Sequence, residues 1–252
     1  MRRMALHPLA EQFGSVADAY ERGRPEYAPA VIGALGAELR IAPGNRVLDL
    51  GAGTGKLTRA LLDAGFDVTA IEPHASLRDV LAAKVGADRA LDGLAEAIPL
   101  PEAAFEAVTV ADAFHWFDHR AAIAEIRRVL RPGGGLAVLT TIPDWSGASW
   151  AHELGTLIVR GRPAHPHFDG PSWRDAIQAA GGWTEPREIR VTSAQPADPE
   201  RIVNHVASIS WVAAMAEGQR AEMLTQVGEI LEAGHSPAEL PVHVVVGLTE
   251  LA

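Results

Sequence analysis

Asp49-Leu-Gly-Ala-Gly-Thr-Gly55 sets three glycines two residues apart behind a carboxylate. A glycine-rich turn between a strand and a helix lets a ligand approach backbone N–H groups that a Cβ would block, and the helix start adds favourable dipoles. A nucleotide-like ligand is implied, and the spacing narrows it. A phosphate-binding P-loop needs GxxxxGK followed by Ser or Thr, but Leu50 stands where its first glycine belongs and Leu57 follows Lys56. A dinucleotide fingerprint needs GxGxxG, and Lys56 stands where the third glycine belongs. Asp49 would repel a pyrophosphate but attract a cationic ligand or its ammonium group, directly or through water. Glu72, about twenty residues beyond Gly51 and just before Pro73, sits where an acidic side chain accepts both hydroxyls of a ribose. Read singly, the glycines suit a tight turn and Glu72 a helix-entry charge. Read together they describe a ligand site.

Further along, Val110-Ala-Asp-Ala-Phe-His-Trp-Phe-Asp118 carries the next candidates. His115 directly follows a strand-like run and points from the carboxyl end of the sheet, where ligands of open α/β folds bind. It could act as a base, as a wall against a cofactor or as a helix-entry residue. Trp116 and Phe117 shape an apolar pocket. His115 and His119, four apart with Asp112 and Asp118 nearby, would suit a metal only if a helix began at His115, and no metal is expected. His165 and His167 read as polar loop residues. Tyr20 and Arg24 either close over a cofactor and acceptor or belong to a frayed terminal segment. Trp145, Trp150 and Trp173 either line an acceptor pocket or pack locally.

The elements that must position these residues are legible in the hydrophobic pattern. Val31, Ile32, Leu35 and Leu39 fall at helical spacing behind Pro29. Arg46–Leu50, Asp67–Ile71, Ala107–Ala111 and Leu136–Thr141 read as short buried strands, and helical stretches cover Leu57–Ala64, Ala75–Ala87 and about His119 to Leu130. Pro132-Gly-Gly-Gly135 reads as a turn into the fourth of these strands. Strands alternating with helices imply a parallel sheet covered on both faces, an α/β fold. Between 143 and 183 the strand signal fades and Pro, Gly, His and Trp accumulate, which suggests a cap insertion over the strand ends. Pro186–Thr192 and Val242–Leu248 read as strands, and Pro199–Ala233 as two helices.

Composition sets outer bounds. With 252 residues, 48% hydrophobic, one sizeable core can form without a metal or a crosslink. The absence of cysteine excludes disulfides, thiolate zinc sites and cysteine nucleophiles. A net charge of −10, with its 22 basic residues dispersed, argues against a nucleic-acid partner. No run is long and apolar enough for a bilayer span, and the first residues lack the apolar centre of a secretory signal. The expected location is cytoplasmic. No coiled-coil repeat marks an interface, so the oligomeric state stays open.

On these residues the chain resembles the class I S-adenosylmethionine-dependent methyltransferases, whose strand, Asp, GxGxG and downstream acid correspond to Asp49–Gly55 and Glu72-Pro73. Gly93–Pro101, Val110–Asp118 and Arg131-Pro-Gly-Gly134 resemble the family's later motifs in order. The pattern Phe13-Gly-x-x-Ala-x-x-Tyr20-x-x-x-Arg24-Pro25-x-Tyr27 and the His115-Trp116 pair resemble the small-molecule branch that includes trans-aconitate methyltransferase-like proteins; Ser208–Trp211 and Glu239–Pro241 do so more weakly. The resemblance implies a Rossmann-like, seven-stranded, mostly parallel sheet with the last strand antiparallel, within one methyltransferase domain bearing an N-terminal lid over 1–28. It implies that S-adenosylmethionine is held by Tyr20, Arg24, Asp49, Gly51, Ala52, Gly53, Thr54, Gly55, Glu72, Pro73, Ala95, Glu96, Ala111, Asp112 and His115. His115 is then the base or positioning group, and Trp116, Trp145 and Trp173 face a small-molecule acceptor. Leu94 departs from the common pattern, in which Asp meets the adenine amino group, so backbone and apolar contacts would recognise adenine here. An NAD(P)-dependent oxidoreductase and a cofactor-binding protein without turnover are the alternative readings.

Overall fold

The computed structural model describes residues 7–147, 149–160, 162–234 and 239–252. In chain order the elements are α1 (Pro8–Glu11), a 3-10 turn (Gln12–Val16), α2 (Ala17–Gly23), α3 (Pro29–Glu38), β1 (Arg46–Leu50), α4 (Lys56–Asp63), β2 (Asp67–Ile71) and α5 (Ala75–Val85). There follow β3 (Ala90–Leu91), β4 (Phe105–Ala111), a 3-10 turn (Phe114–Trp116), α6 (His119–Val129), β5 (Leu130–Pro143), α7 (Ser149–Val159) and α8 (Pro166–Asp169). The chain ends with α9 (Trp173–Ala180), β6 (Arg187–Pro196), α10 (Pro199–Ala207), α11 (Ser210–Ala213), α12 (Glu217–Gly234) and β7 (Glu239–Glu250).

Seven strands form one sheet in the order β3-β2-β1-β4-β5-β7-β6. The pairings from β3 through β5 are parallel. β7 runs against both neighbours. Leu251 N–H bonds Gly134 O while Asp144 N–H bonds Pro241 O, so β5 advances as β7 recedes; Trp183 and Leu251 form an antiparallel bridge beside β6. The Rossmann-like sheet with its last strand reversed is therefore observed.

The described residues fall into two compact units: the larger holds 26–141, 166–191 and 244–252, and the smaller holds the preceding N-terminal segment to Pro25, 142–165 and 192–243. Of the expected cap at 143–183, the part to His165 belongs to the smaller unit and the rest to the larger. Of the expected N-terminal lid at 1–28, residues 1–6 lie outside the described residues.

In the larger unit, alternation along β1 sends Leu48 and Leu50 to one face of the sheet, with Val108, Val110, Ile123, Ile126 and Ile177, and Val47 to the other, with Val31, Leu35, Leu57, Leu61 and Val68. Helix ends are fixed locally. Asp118 accepts the Ala121 N–H at the start of α6, whose last turn carries Arg127 and Arg128 where the helix dipole favours cations. The smaller unit has its own core, from Trp150, Leu154 and Ile158 of α7, Ile202 and Val206 of α10, and Met223, Val227 and Leu231 of α12.

Two sequence readings need correction, and one strand carries no sequence reading. Pro199–Ala233 holds three helices, α10, α11 and α12, rather than two. Pro132–Gly135 is not a turn between elements: β5 begins at Leu130, and its register against β4 jumps from Phe105↔Leu130 to Ala107↔Gly135, so the glycine run bulges out of a continuous strand. The two-residue strand β3 has no hydrophobic signature of its own, because Ala90 and Leu91 are recruited only by pairing with Ala70 and Ile71.

Candidate active site

The strand order reverses direction between β1 and β4, and ligands of open α/β sheets bind outside the carboxyl ends of the strands at such a switch. The glycine loop leaves β1 there and the His115 segment leaves β4 there. All three glycines have positive φ: 71° at Gly51, 59° at Gly53 and 85° at Gly55, where the last residue is the N-cap of α4. Other residues are strained in this region. A Cβ on Gly51 would lie 2.8 Å from Ala113 Cβ, and one on Gly55 would lie 2.5 Å from Leu81 Cδ1. At these two positions glycine is thus demanded by backbone conformation and by packing against the Ala113 segment and α5.

Asp49 is buried on β1, directly opposite Thr109 of β4. Its Oδ1 accepts the Thr109 hydroxyl at 3.0 Å and its Oδ2 the Thr58 hydroxyl at 2.6 Å. It ties β1 and β4 to the helix that follows the loop. Burial raises its pKa to about 6, against the lowering effect of the two hydroxyls.

Glu72, also buried, joins β2 to the loop. Its Oε2 accepts the Gly53 N–H and its Oε1 the His74 N–H, both at 2.8 Å. Gly51 and Ala52 N–H both reach Ile71 O, so β2 and its terminal acid hold the first three residues of the loop. Burial lifts Glu72 to about 7, opposed by its two backbone N–H partners and by Arg78, which also donates to Glu72 O. Thr54 is fully buried and its hydroxyl has no hydrogen-bond partner among the described residues. An orphaned buried hydroxyl costs about 1–3 kcal/mol, so this loop fits a ligand that offers it a polar group.

The β4 end is strained in the manner of a functional site: Asp112, not a glycine, has φ 51°. Its Oδ1 accepts the Thr141 N–H at 2.9 Å, and Tyr27 OH lies 3.5 Å from Oδ2. Ala111 precedes it at the strand end. In the turn that follows, Ala113 and Phe117 abut Gly51, and the half-buried His115 lies between them in the chain. The His115 ring lies 4.6 Å from that of Trp116 and 5.0 Å from that of His167 on α8. His119 begins α6 and stacks on Phe114 instead. The two histidines face different partners, and no cluster of three metal-ligating side chains exists among the described residues. Ala95 is buried in the sheet core, Glu96 Oε1 accepts the Asp118 N–H, and Pro73 precedes α5. Trp173 packs over Gly247 of β7 and donates to Glu188.

Tyr20, Arg24 and Trp145 lie in the smaller unit. Arg24 crosses the Tyr20 ring at 5.2 Å and bonds the Ser208 hydroxyl at 2.8 Å, binding α2 to the end of α10. Trp145 meets His205 edge-on at 5.7 Å. Sequence reasoning treated Thr58, Thr109 and the ring of His167 as bystanders. Only the strand register and the packing of α8 reveal them, although the Asp49 position itself signalled that a buried acid would need donors.

Residues 48–138 match the family model described as a methyltransferase domain. The chain is 40% identical over 223 residues to an uncharacterized methyltransferase of Mycobacterium tuberculosis, covering 88% of this chain and 86% of that one. Among solved structures it resembles a protein of Anaeromyxobacter dehalogenans described as a type II methyltransferase, with TM-score 0.58 and 23% identity over 90% of this chain and 96% of that one. A phosphoethanolamine N-methyltransferase of Haemonchus contortus, bound to phosphomonomethylethanolamine and S-adenosylhomocysteine, matches with TM-score 0.53 and 14% identity over 93% of this chain and 57% of that one.

Proposed function

Because the chain belongs to the class I S-adenosylmethionine-dependent methyltransferases, we propose that it transfers the methyl group of S-adenosylmethionine to an oxygen atom of a small organic acceptor. The observation that carries the cofactor reading is Glu72, a buried acid that braces the glycine loop through Gly53. Each of its oxygens retains a lone pair for a ribose hydroxyl. Gly51–Gly55 flank the methionine portion, with Asp49 behind them and the Thr54 hydroxyl turned to account by it. Pro73, Ala95 and Glu96 border the adenine, and Ala111, Asp112 and His115 close the β4 side.

S-adenosylmethionine supplies a methyl group on a sulfonium, a good leaving group, so the protein's task is to hold acceptor and methyl in line, worth up to about 7–11 kcal/mol. His115 orients the acceptor and takes its proton, and Trp116 shapes its pocket. An already ionised carboxylate would need only the orientation. The net charge of −10 disfavours a nucleic-acid acceptor, and no described helix is long and apolar enough to cross a membrane. The small-molecule branch resemblance supports a metabolite acceptor met in the cytoplasm.

The test is incubation with S-adenosylmethionine carrying an isotopically labelled methyl group and a panel of carboxylic acids, phenols and amines, read by mass spectrometry. Label on an acceptor oxygen is expected. Label on nitrogen or carbon would overturn the oxygen assignment, and cofactor binding without label on any acceptor would favour a binding protein without turnover.

A further inference from the structure

The contact between His115 and His167 joins two segments of the larger unit separated by the whole of β5. Their ring centroids lie 5.0 Å apart at an interplanar angle of 69°, and the chain of rings continues from His167 to Phe168 at 4.6 Å. His115 is half-buried, beside the turn that abuts Gly51; His167 is exposed. The pair therefore spans the step from the candidate site to water. Two imidazoles this close cannot titrate independently: a proton on one disfavours a proton on the other, so protons leave the pair in two macroscopic steps.

Resting on the methyltransferase reading above, we propose that His167 is a positioning residue acting through His115, which it keeps neutral and so able to accept a proton. As the acceptor oxygen forms its bond to the methyl carbon, the carbon–sulfur bond breaks and its electron pair stays on sulfur. The acceptor's O–H proton passes to an imidazole nitrogen of His115 and from there to water. Among the described residues, the ionisable groups that flank the pair in the chain are Asp112, Asp118 and His119 near His115, with Glu96 at the Asp118 N–H, and Asp169 near His167 on α8. The carboxylates favour a charged imidazole. Replacing His167 leaves all of them in place, so the difference isolates the second ring.

The experiment is a nitrogen NMR titration of the His115 ring, assigned with His115→Gln, in the wild type and in His167→Gln and His167→Phe, with and without S-adenosylhomocysteine. The phenylalanine variant keeps an aromatic ring against His115 without a charge. The expected result is a two-step His115 curve in the wild type that becomes one step at higher pH in both variants, with S-adenosylhomocysteine affinity kept within about twofold. An unchanged curve, or a shift in His167→Gln absent from His167→Phe, would overturn the proposal. Failure of S-adenosylhomocysteine to bind would instead overturn the cofactor reading, with the coupling of the two rings still readable in the ligand-free protein.

Discussion

Glu72 accepts the Gly53 N–H at 2.8 Å from across the β1–β2 junction, so the acid assigned to the ribose also fixes the middle of the glycine loop. Glu72→Ala removes both functions. It is expected to weaken S-adenosylhomocysteine binding by about 10- to 100-fold and to lower the melting temperature, because the buried Gly53 N–H loses its acceptor at about 1–3 kcal/mol and the part-buried His74 N–H loses its own. Calorimetric titration and thermal unfolding check the two effects separately. Unchanged affinity would refute the ribose assignment.

Glu72 and Asp49 also predict a pH dependence. Both have folded-state pKa values raised above the ordinary carboxylate range, to about 7 and about 6, by burial. The folded state therefore holds their protons more tightly than the unfolded state. Their contribution to stability is fully present below the unfolded values near 4 and is lost as pH rises through 6 to 7. Glu72→Gln should flatten the fall in stability across that range, as measured by denaturant unfolding at several pH values. Persistence of the full fall would exclude Glu72 as its source.

Among the described residues Asp49 is held by two hydroxyls and no cation, which separates charge from hydrogen bonding. Asp49→Asn keeps an acceptor and loses the buried charge, so at pH 8 it should match or exceed the wild type in stability. Asp49→Ala should lose about 1–3 kcal/mol through the stranded Thr58 and Thr109 hydroxyls. Urea unfolding distinguishes them, and equal losses in both variants would contradict the assignment.

In the smaller unit, Gly23 meets α10 with no room for a side chain: a Cβ would lie 2.1 Å from His205 N. Gly23→Ala is expected to cost about 1–3 kcal/mol by overpacking, or several degrees in melting temperature. His205 itself is buried and held near pKa 3, chiefly by desolvation and then by Arg24. Its contribution is present above the unfolded value near 6.5 and is lost as pH falls toward 3. His205→Gln should therefore soften acid unfolding relative to the wild type. A wild-type acid profile in that variant would show that other groups govern it.

His115→Ala discriminates between chemistry and binding. As the base it should lower turnover about 100-fold or more with S-adenosylhomocysteine affinity kept. As a wall against the cofactor it should lower the affinity instead.

The parallel strands β1, β2, β4 and β5 were legible because each holds an apolar run bounded by Gly, Pro or a charge, β3 was not, and the glycine loop and Glu72 were legible because their spacing is local. What stayed hidden depends on contacts between distant segments. No spacing rule connects Asp49 to Thr109 or His115 to His167, since register and helix packing bring them together. The Pro132–Gly135 run misled for a related reason: glycines that signal a turn in isolation are carried as a bulge when the strands on either side pair with β4. At 51 and 55 the need of a tight turn for glycine was legible, but the room that the missing side chains leave for Ala113 and Leu81 was not.

The central claim is that the loop at Gly51–Gly55, with Glu72, holds S-adenosylmethionine. The most direct measurement is isothermal titration of the purified protein with S-adenosylhomocysteine alongside NAD and ATP. Saturable one-to-one binding of S-adenosylhomocysteine, with neither nucleotide bound, is predicted; no binding, or preference for NAD, would contradict the account.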